Sequence, residues 1–147
     1  HVLWRLENGN IDGISPKLAV LMIGTNNHMS SPPKVTARDI RLIVKQLRTK
    51  LPKTKVLVLA VFPRGGGDDD GARRINMTVN ELIADLGDGK MVYHLNINEA
   101  FLDGRRLRHN LIPDGTHPNE KGYAAWAEAM EPTLAKLLGE EPIIPGD

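Results

Sequence analysis

The sequence predicts a three-layer α/β/α fold, in which helices cover both faces of a parallel sheet. Short continuous apolar runs alternate along the chain with longer segments in which apolar residues recur at helical spacing. Three strands and three helices in alternation are typical of a parallel sheet with crossover helices. The 147 residues are enough for one domain, predicted over residues 1–138 with residues 139–147 as a tail. Trp4 and Trp126 fall on apolar faces and are expected in the core.

The first half of the chain is predicted to form a strand, a helix and a second strand. Leu18–Ile23 is an unbroken apolar run, as expected for a strand that is buried on both faces. Apolar residues then recur at helical spacing until Pro52, and Thr36 with Asp39 resembles a capping pair near the start of this helix. The run Val56–Phe62 is the second buried strand.

The second half is predicted to add a helix, a short strand and a final helix. The second helix ends at Gly87, and Met91–Leu95 is the third strand. The final helix begins after Asn119, whose side chain can cap it. Pro132 lies inside this helix and is expected to kink it, because proline supplies no amide hydrogen.

Composition excludes several functional classes. Nineteen basic and eighteen acidic residues leave a net charge of +1, which gives no strong attraction to nucleic acid or to anionic membranes. No apolar run approaches the roughly 20 residues of a membrane span, and no signal sequence is recognisable, so the compartment stays undetermined. The chain has no cysteine, and its histidines lack the close spacing of a zinc site. No metal or cofactor is expected.

The turn after the first predicted strand is one candidate site. Gly24-Thr25-Asn26-Asn27 follows the strand directly, at the edge of the sheet where α/β folds bind ligands. Glycine allows a sharp turn, and an asparagine amide placed there can donate a hydrogen bond to the oxyanion of an acyl-transfer intermediate. The alternative is an asparagine that only caps its own turn.

The segment before the final helix is the second candidate site. It reads Asp114-Gly115-Thr116-His117-Pro118-Asn119, and an aspartate three residues before a histidine can reach the Nδ1 hydrogen across a tight turn. The carboxylate would hold the imidazole in the tautomer whose Nε2 accepts a proton. The alternative is that Asp114 forms an Asx-turn and His117 is an ordinary surface residue.

Together these motifs closely resemble those of the SGNH (GDSL-type) hydrolases, and within them the bacterial acyl-esterases related to platelet-activating-factor acetylhydrolase catalytic subunits. The resemblance covers nearly the whole chain, and three further segments share it: Leu3-Trp4-Arg5-Leu6, Asp12-Gly13-Ile14-Ser15-Pro16-Lys17 and Phe62-Pro63-Arg64-Gly65. It implies a flavodoxin-like fold and hydrolysis of acyl esters. It also implies that Asn26 donates to the oxyanion hole, and that Asp114 and His117 are the catalytic aspartate and histidine.

Other residues near these motifs are weaker candidates. Those expected to contact substrate are Gly24, Thr25, Asn27 and Arg64. His28 could line the pocket, although a loop histidine without a role is the alternative. The Asp68–Asp70 cluster is interpreted as a solvated loop rather than a cation site, and the basic stretch from Arg105 to Arg108 as a solvated loop rather than a nucleic-acid site.

The resemblance also implies a serine nucleophile in a Gly-Asp-Ser block and a glycine amide in a second block, both from a region before the part matched here. The serines of this chain are Ser15, Ser30 and Ser31, and none follows a predicted strand at the right position. Ser15 precedes the first strand, and the other two lie before two prolines. We therefore expect a base, its orienting acid and one oxyanion donor without the attacking group, and little or no esterase activity of this polypeptide alone.

The same resemblance implies absent amino-terminal strands, one of them central to the sheet. Leu18–Ile23 would then be an unpaired apolar edge, which favours aggregation or strand exchange. Two uncovered leucine-sized side chains forfeit about 3–6 kcal/mol. We therefore expect that the chain, which begins with His1 rather than methionine, recruits a missing amino-terminal segment or forms a homo-oligomer.

Two functions remain open at this point. One is hydrolysis of a small-molecule ester, with acetylated sugars, short-chain esters and lysophospholipid-like esters as possible substrates. The other is a non-catalytic binding or structural module that keeps the fold.

Overall fold

Three parallel strands form the sheet in the computed structural model, which describes residues 1–143. They are β1 (Leu18–Leu21), β2 (Lys55–Leu59) and β3 (Val92–Leu95), and β2 lies between the other two. The predicted order of strands and crossover helices is confirmed. Each of the first two strands is shorter than its apolar run, because the chain leaves the ladder before the run ends.

The central strand shows how the three layers are built. Val56 and Val58 are buried against one cluster of apolar side chains, and Leu57 and Leu59 against another. Successive side chains of a strand point to opposite faces, so these clusters lie on the two sides of the sheet. The predicted three-layer α/β/α architecture is confirmed.

Helices on each face supply the remaining core. On the first face, apolar residues come from α1 (Val2–Glu7), α2 (Pro33–Lys50) and α3 (Gly71–Ile83). On the second face they come from α4 (Glu120–Leu138) and the hairpin of β4 (Leu102–Asp103) and β5 (Arg106–Leu107). Short 3₁₀ helices span Asn27–Met29, Ala84–Leu86 and Asn98–Phe101. None of the helices within residues 1–143 is both long enough and apolar enough to cross a membrane.

Strand β1 is an edge of the sheet, and it is less buried than its sequence suggests. Among the described residues it pairs only with β2, and its Val20 is 41% exposed. The expectation of burial on both faces is therefore wrong for the chain by itself. The expectation of an apolar edge is met.

The start of α2 differs from the predicted capping pair. The helix begins at Pro33, no side chain caps it, and Thr36 is already inside the helix with its hydroxyl buried and unpartnered among the described residues. Proline at the first helical position has a backbone angle preset for the helix and has no amide hydrogen to satisfy. The capping role predicted for Thr36 and Asp39 is wrong.

The two tryptophans have different environments. Trp126 packs against Phe62, with ring centroids 4.6 Å apart in an edge-to-face arrangement, as expected for the core. Trp4 is 64% exposed, so its predicted core position is wrong. The reason is that α1 is short and buries Leu6 instead.

Helix α4 begins as predicted and continues through its proline. The side chain of Asn119 accepts a hydrogen bond from the Gly122 amide at 3.0 Å, which caps the helix. Pro132 lies inside α4, which continues to Leu138. Of the predicted tail, residues 144–147 lie outside the described residues.

Candidate active site

The turn after β1 presents an asparagine side chain that the turn itself does not use. Gly24 has φ of +119° and is buried, and a Cβ there would lie 3.2 Å from Cγ2 of Thr36 in α2. Only glycine fits this turn easily, because such a φ strains other residues. Asn26 follows at the start of a 3₁₀ helix, is exposed, and makes no side-chain cap. Its side chain is therefore not used by the turn that carries it.

Asp114 and His117 form a compact hydrogen-bonded pair before α4. The carboxylate Oδ1 accepts backbone hydrogen bonds from Thr116 at 2.9 Å and from His117 at 2.7 Å. The other oxygen, Oδ2, lies 2.7 Å from Nδ1 of His117. Gly115 makes the tight turn with φ of +75°. The Asx-turn and the contact with the imidazole are thus present together, since the turn orients the carboxylate toward the ring.

The environment of Asp114 stabilises its ionised form. The hydrogen bond from His117 lowers the pKa of this carboxyl well below its ordinary range, and the two backbone hydrogen bonds lower it further. The side chain of His117 is 77% exposed, and that of Asp114 is 57% exposed. An ionised carboxylate on Nδ1 leaves Nε2 of the imidazole free to accept a proton on an open surface.

Arg64 joins the two motifs. It follows β2, and its Nη1 donates to the carbonyl of Thr25 at 2.8 Å and to Oδ1 of Asn26 at 3.2 Å. Its Nη2 donates to Oγ1 of Thr116 at 3.0 Å. The guanidinium therefore spans the loop after β1 and the loop before α4, which together with the loop after β2 form one rim of the sheet. We call the three loops, residues 24–31, 60–70 and 108–119, the rim.

The other sequence candidates take varied positions. Nδ1 of His28 lies 2.9 Å from the Thr25 carbonyl, within the turn. Asp70 caps α3 by accepting from the Arg73 amide, and Asp68 pairs with Arg105 at 3.2 Å. The acidic cluster lies in a loop, as predicted, and these two carboxylates in addition cap a helix and form an ion pair.

Neither a serine partner for His117 nor a metal-binding group of side chains is found within residues 1–143. No serine hydroxyl within residues 1–143 is hydrogen-bonded to His117. Ser15 precedes β1 and so lies at the opposite end of that strand from the rim. The part of the chain that the structure describes contains no group of three acidic or histidine side chains able to hold a metal ion.

Sequence reasoning missed the polar side chains of α3 that hold the rim. Arg73 is 2% exposed and donates to the carbonyls of Arg64 and Gly65 at 2.9 and 3.2 Å. Asn76 is also 2% exposed and donates to the Phe62 carbonyl at 3.3 Å. Arg73, Asn76 and Asn80 are spaced three and four residues apart, and the apolar Ile83 continues the same helical face. Polar residues at helical spacing on a face that ends in a buried apolar residue were the available signal.

Comparison with known proteins identifies the family. The family model described as the GDSL-like Lipase/Acylhydrolase family matches residues 1–125. The chain belongs to this family. It is 36% identical over 144 residues to platelet-activating factor acetylhydrolase IB subunit alpha1 of Pongo abelii, a match that covers 96% of this chain and 61% of the relative. The chain therefore spans about three fifths of the length of this curated relative.

Solved structures agree on the fold of this family member. A GDSL-like lipase from Bacteroides thetaiotaomicron VPI-5482 superposes with a TM-score of 0.73 at 21% identity, covering 91% of this chain and 69% of the other. A carbohydrate acetylesterase from Sinorhizobium meliloti gives a TM-score of 0.71 at 20% identity, covering 92% and 67%. At such identities these matches establish the architecture, which is that of the GDSL hydrolases.

Proposed function

We propose that the chain supplies the base, the orienting acid and an oxyanion donor of a serine-type acyl-ester hydrolase. The observation that carries the proposal is the 2.7 Å contact between Oδ2 of Asp114 and Nδ1 of His117. Asn26 lies on the same rim, and Arg64 links its loop to the loop of this pair. An aspartate that holds an imidazole with its other nitrogen free is the arrangement needed to activate a hydroxyl nucleophile. Membership of an acylhydrolase family supports the same reaction class.

The proposed reaction proceeds in two halves. Nε2 of His117 takes the proton from a serine hydroxyl while the serine oxygen bonds to the ester carbonyl carbon, and Asn26 donates to the carbonyl oxygen as it becomes negative. The carbon–oxygen bond to the alcohol then breaks, and His117 returns the proton to the departing alcohol. Water attacks the acyl-serine by the same sequence and releases the carboxylic acid. Asp114 keeps the ring oriented throughout.

The attacking hydroxyl is proposed to come from a serine outside these 147 residues. It is supported by the positions of the serines of residues 1–143, none of which is hydrogen-bonded to His117. The chain alone is therefore expected to hydrolyse 4-nitrophenyl acetate at little more than the background rate.

Substrate contacts are proposed for Gly24, Thr25 and Asn27, which surround Asn26 in the turn after β1.

The unpaired edge of β1 is where a further strand is proposed to join the sheet. The exposed side chain of Val20 and the pairing of β1 with β2 alone support this proposal within the described residues. The added strand would come from a missing amino-terminal segment or from a second copy of the chain. Either arrangement would cover the apolar edge.

A fluorophosphonate probe tests the proposed chemistry on the protein isolated from its source. We expect covalent labelling of one serine outside residues 1–147, located by mass spectrometry. Labelling of Ser15, Ser30 or Ser31 would contradict the assignment of the nucleophile. Absence of labelling on every associated polypeptide would favour the non-catalytic module.

Variants of the esterase that the probe identifies test the proposed roles of Asp114 and Asn26. Asp114→Asn is expected to lower kcat by about 10⁴-fold, since it removes the group that holds the imidazole tautomer. Asn26→Ala is expected to lower kcat by about 10²–10³-fold, as loss of one oxyanion donor does. Steady-state kinetics with 4-nitrophenyl acetate measures both. Unchanged kcat in both variants would contradict the proposal.

A further inference from the structure

Arg64 is the one side chain that we find bonded to both halves of the candidate site among residues 1–143. Its two Nη atoms together reach the Thr25 carbonyl at 2.8 Å, Oδ1 of Asn26 at 3.2 Å and Oγ1 of Thr116 at 3.0 Å. A guanidinium is planar and offers several donors in a fixed fork, so it can hold three acceptors in one relative geometry. These contacts therefore restrain the two loops with respect to each other.

The backbone of Arg64 is itself held by a buried arginine. Arg73 donates from Nε to the Arg64 carbonyl at 2.9 Å and from Nη2 to the Gly65 carbonyl at 3.2 Å. Its Nη1 donates to the carbonyl of Arg105 at 2.6 Å. Because Arg73 is only 2% exposed and lies on α3, the loop that carries Arg64 is anchored to the body of the protein. Arg64 thus reaches across the rim from a fixed base.

The contact with Arg64 determines which end of the Asn26 amide is presented to the rim. A guanidinium has donors and no acceptor, so only the Oδ1 end of the amide can face it favourably. Nδ2 of Asn26 then points elsewhere, and it makes no hydrogen bond to protein within the described residues. Without Arg64 the amide could rotate by half a turn and present an oxygen, which would repel a developing oxyanion instead of stabilising it.

The contact with Thr116 acts on the other half of the site. The amide of Thr116 donates to Oδ1 of Asp114 at 2.9 Å, inside the turn that aims the carboxylate at His117. A second link joins the same loops, since the amide of Gly65 donates to the Gly115 carbonyl at 3.0 Å. Arg64 therefore links Asn26 to the loop of the aspartate–histidine pair, and the backbone hydrogen bond ties that loop to the loop of Arg64.

We infer that Arg64 is a positioning residue, which orients the Asn26 amide as an oxyanion donor and fixes its loop relative to that of the Asp114–His117 pair, rather than a residue that binds substrate. The inference rests on the proposed ester hydrolysis and adds to it a group that does not touch the ester. Every hydrogen bond of its Nη atoms to an oxygen within residues 1–143 goes to a neutral acceptor of the rim.

Two substitutions of Arg64 separate positioning from charge and from substrate contact. Arg64→Lys keeps the positive charge but cannot bridge Asn26 and Thr116 together, and Arg64→Gln removes the charge as well. In the esterase that fluorophosphonate labels, both variants are expected to lower kcat by about 10- to 100-fold, less than complete loss of the donor. KM is expected to stay within about twofold for neutral and for anionic esters, since a group that leaves substrate binding unchanged affects kcat alone.

A second measurement uses the same esterase and needs no turnover. In ¹⁵N-labelled protein, both Arg64 variants are expected to shift and broaden the Nδ2 resonances of the Asn26 side chain. Arg74→Gln is the matched control, because Arg74 is exposed and, within residues 1–143, its side chain donates only to the Asp69 carbonyl. It is expected to leave both the resonances and kcat unchanged. Thr116→Val, which removes one acceptor and keeps the side-chain shape, provides the test if the Arg64 variants do not fold.

The outcomes distinguish this inference from the proposed function. Unchanged Asn26 resonances in both Arg64 variants would overturn the positioning role, as would a raised KM for anionic esters with kcat unaltered. Full activity in Arg64→Lys with loss in Arg64→Gln would assign the role to charge and overturn positioning. If His117→Gln leaves hydrolysis unaltered, the proposed reaction fails, while the resonances of Asn26 still report on Arg64.

Discussion

The sheet and the rim are held together by different forces. In β2, the residues from Val56 to Leu59 are buried against apolar side chains on both faces, and any well-fitting apolar contact contributes. In the rim, the loops are held by particular donors from Arg64, Arg73 and Asn76 to particular oxygens. The sheet therefore depends on how much surface is buried, whereas the rim depends on the identity of a few side chains.

The largest effect on stability is expected at the centre of the sheet. Leu57→Ala removes a side chain that is 0% exposed, and the lost burial and the cavity should lower the free energy of unfolding by about 2–5 kcal/mol. Val20→Ala at the edge, where the side chain is 41% exposed, should cost less than about 1 kcal/mol. Urea denaturation of both variants measures the difference. Equal losses would show that β1 is buried in solution, for instance by self-association.

A smaller effect is expected from the buried arginine of the rim. Arg73→Met keeps much of the side-chain volume but leaves the carbonyls of Arg64, Gly65 and Arg105 without this donor. We expect a loss of about 1–3 kcal/mol, the cost of unsatisfied buried groups.

Urea denaturation and amide exchange of the rim loops measure the effect of Arg73→Met. Arg74→Met on the exposed side of the same helix is the control and should lie within about 0.5 kcal/mol of the native protein. A native-like Arg73→Met variant, with unaltered exchange in the Arg64 loop, would show that the rim does not depend on this side chain.

The carboxyl of Asp88, in the turn before β3, is expected to make the stability of the protein depend on pH. Backbone hydrogen bonds from Val92, Lys90 and Met91 lower the pKa of Asp88 from 3.8 to about 2. Because the folded state favours the ionised form, this stabilisation is present above about pH 4 and is lost as the pH falls to about 2. The carboxyl of Asp114 in the rim contributes in the same direction, since its pKa is lowered by His117.

Asp88→Asn tests the sign of this linkage. The variant should be less stable than the native protein at pH 6, and the difference should shrink as the pH falls to 2. Urea midpoints at a series of pH values measure it. A difference that is constant with pH would show that the carboxylate charge does not matter there, and only the hydrogen-bonding shape does.

The smallest effect on unfolding, and the clearest on association, is expected at the edge strand. Val20→Lys places a charge on the exposed side of β1 and should change the free energy of unfolding by less than about 1 kcal/mol. It should shift the sedimentation profile of the isolated chain toward monomer. A native chain that is already a clean monomer at high concentration would contradict pairing with a second copy at this edge.

Much of the fold followed from local patterns. The alternation of apolar runs and helical periods correctly predicts the parallel sheet and the three long helices, because burial period is a property of neighbouring residues. The predictions that are wrong concern features that the local pattern does not determine. The capping role of Thr36 depended on where α2 begins, and the burial of Trp4 on what packs beside a short helix.

The candidate site also combines contacts between residues close in sequence with contacts between distant residues. Asp114 and His117 are three residues apart, so the spacing made their contact possible, and the resemblance to the SGNH hydrolases favoured it over an Asx-turn alone. The links from Arg64 to Asn26 and to Thr116 join residues 38 and 52 positions apart. No local pattern predicts them, because they depend on how three loops end at the same edge of the sheet.

Local sequence was enough to predict the layers, the order of the elements and the turn that contains Asp114 and His117, since each arises from side chains that are neighbours along the chain. The bonds from Arg64 to both loops of the rim, and the burial of Arg73 beneath it, became visible only in the folded chain. A hydrogen bond between distant residues forms only where the packing of the sheet brings donor and acceptor to within about 3 Å.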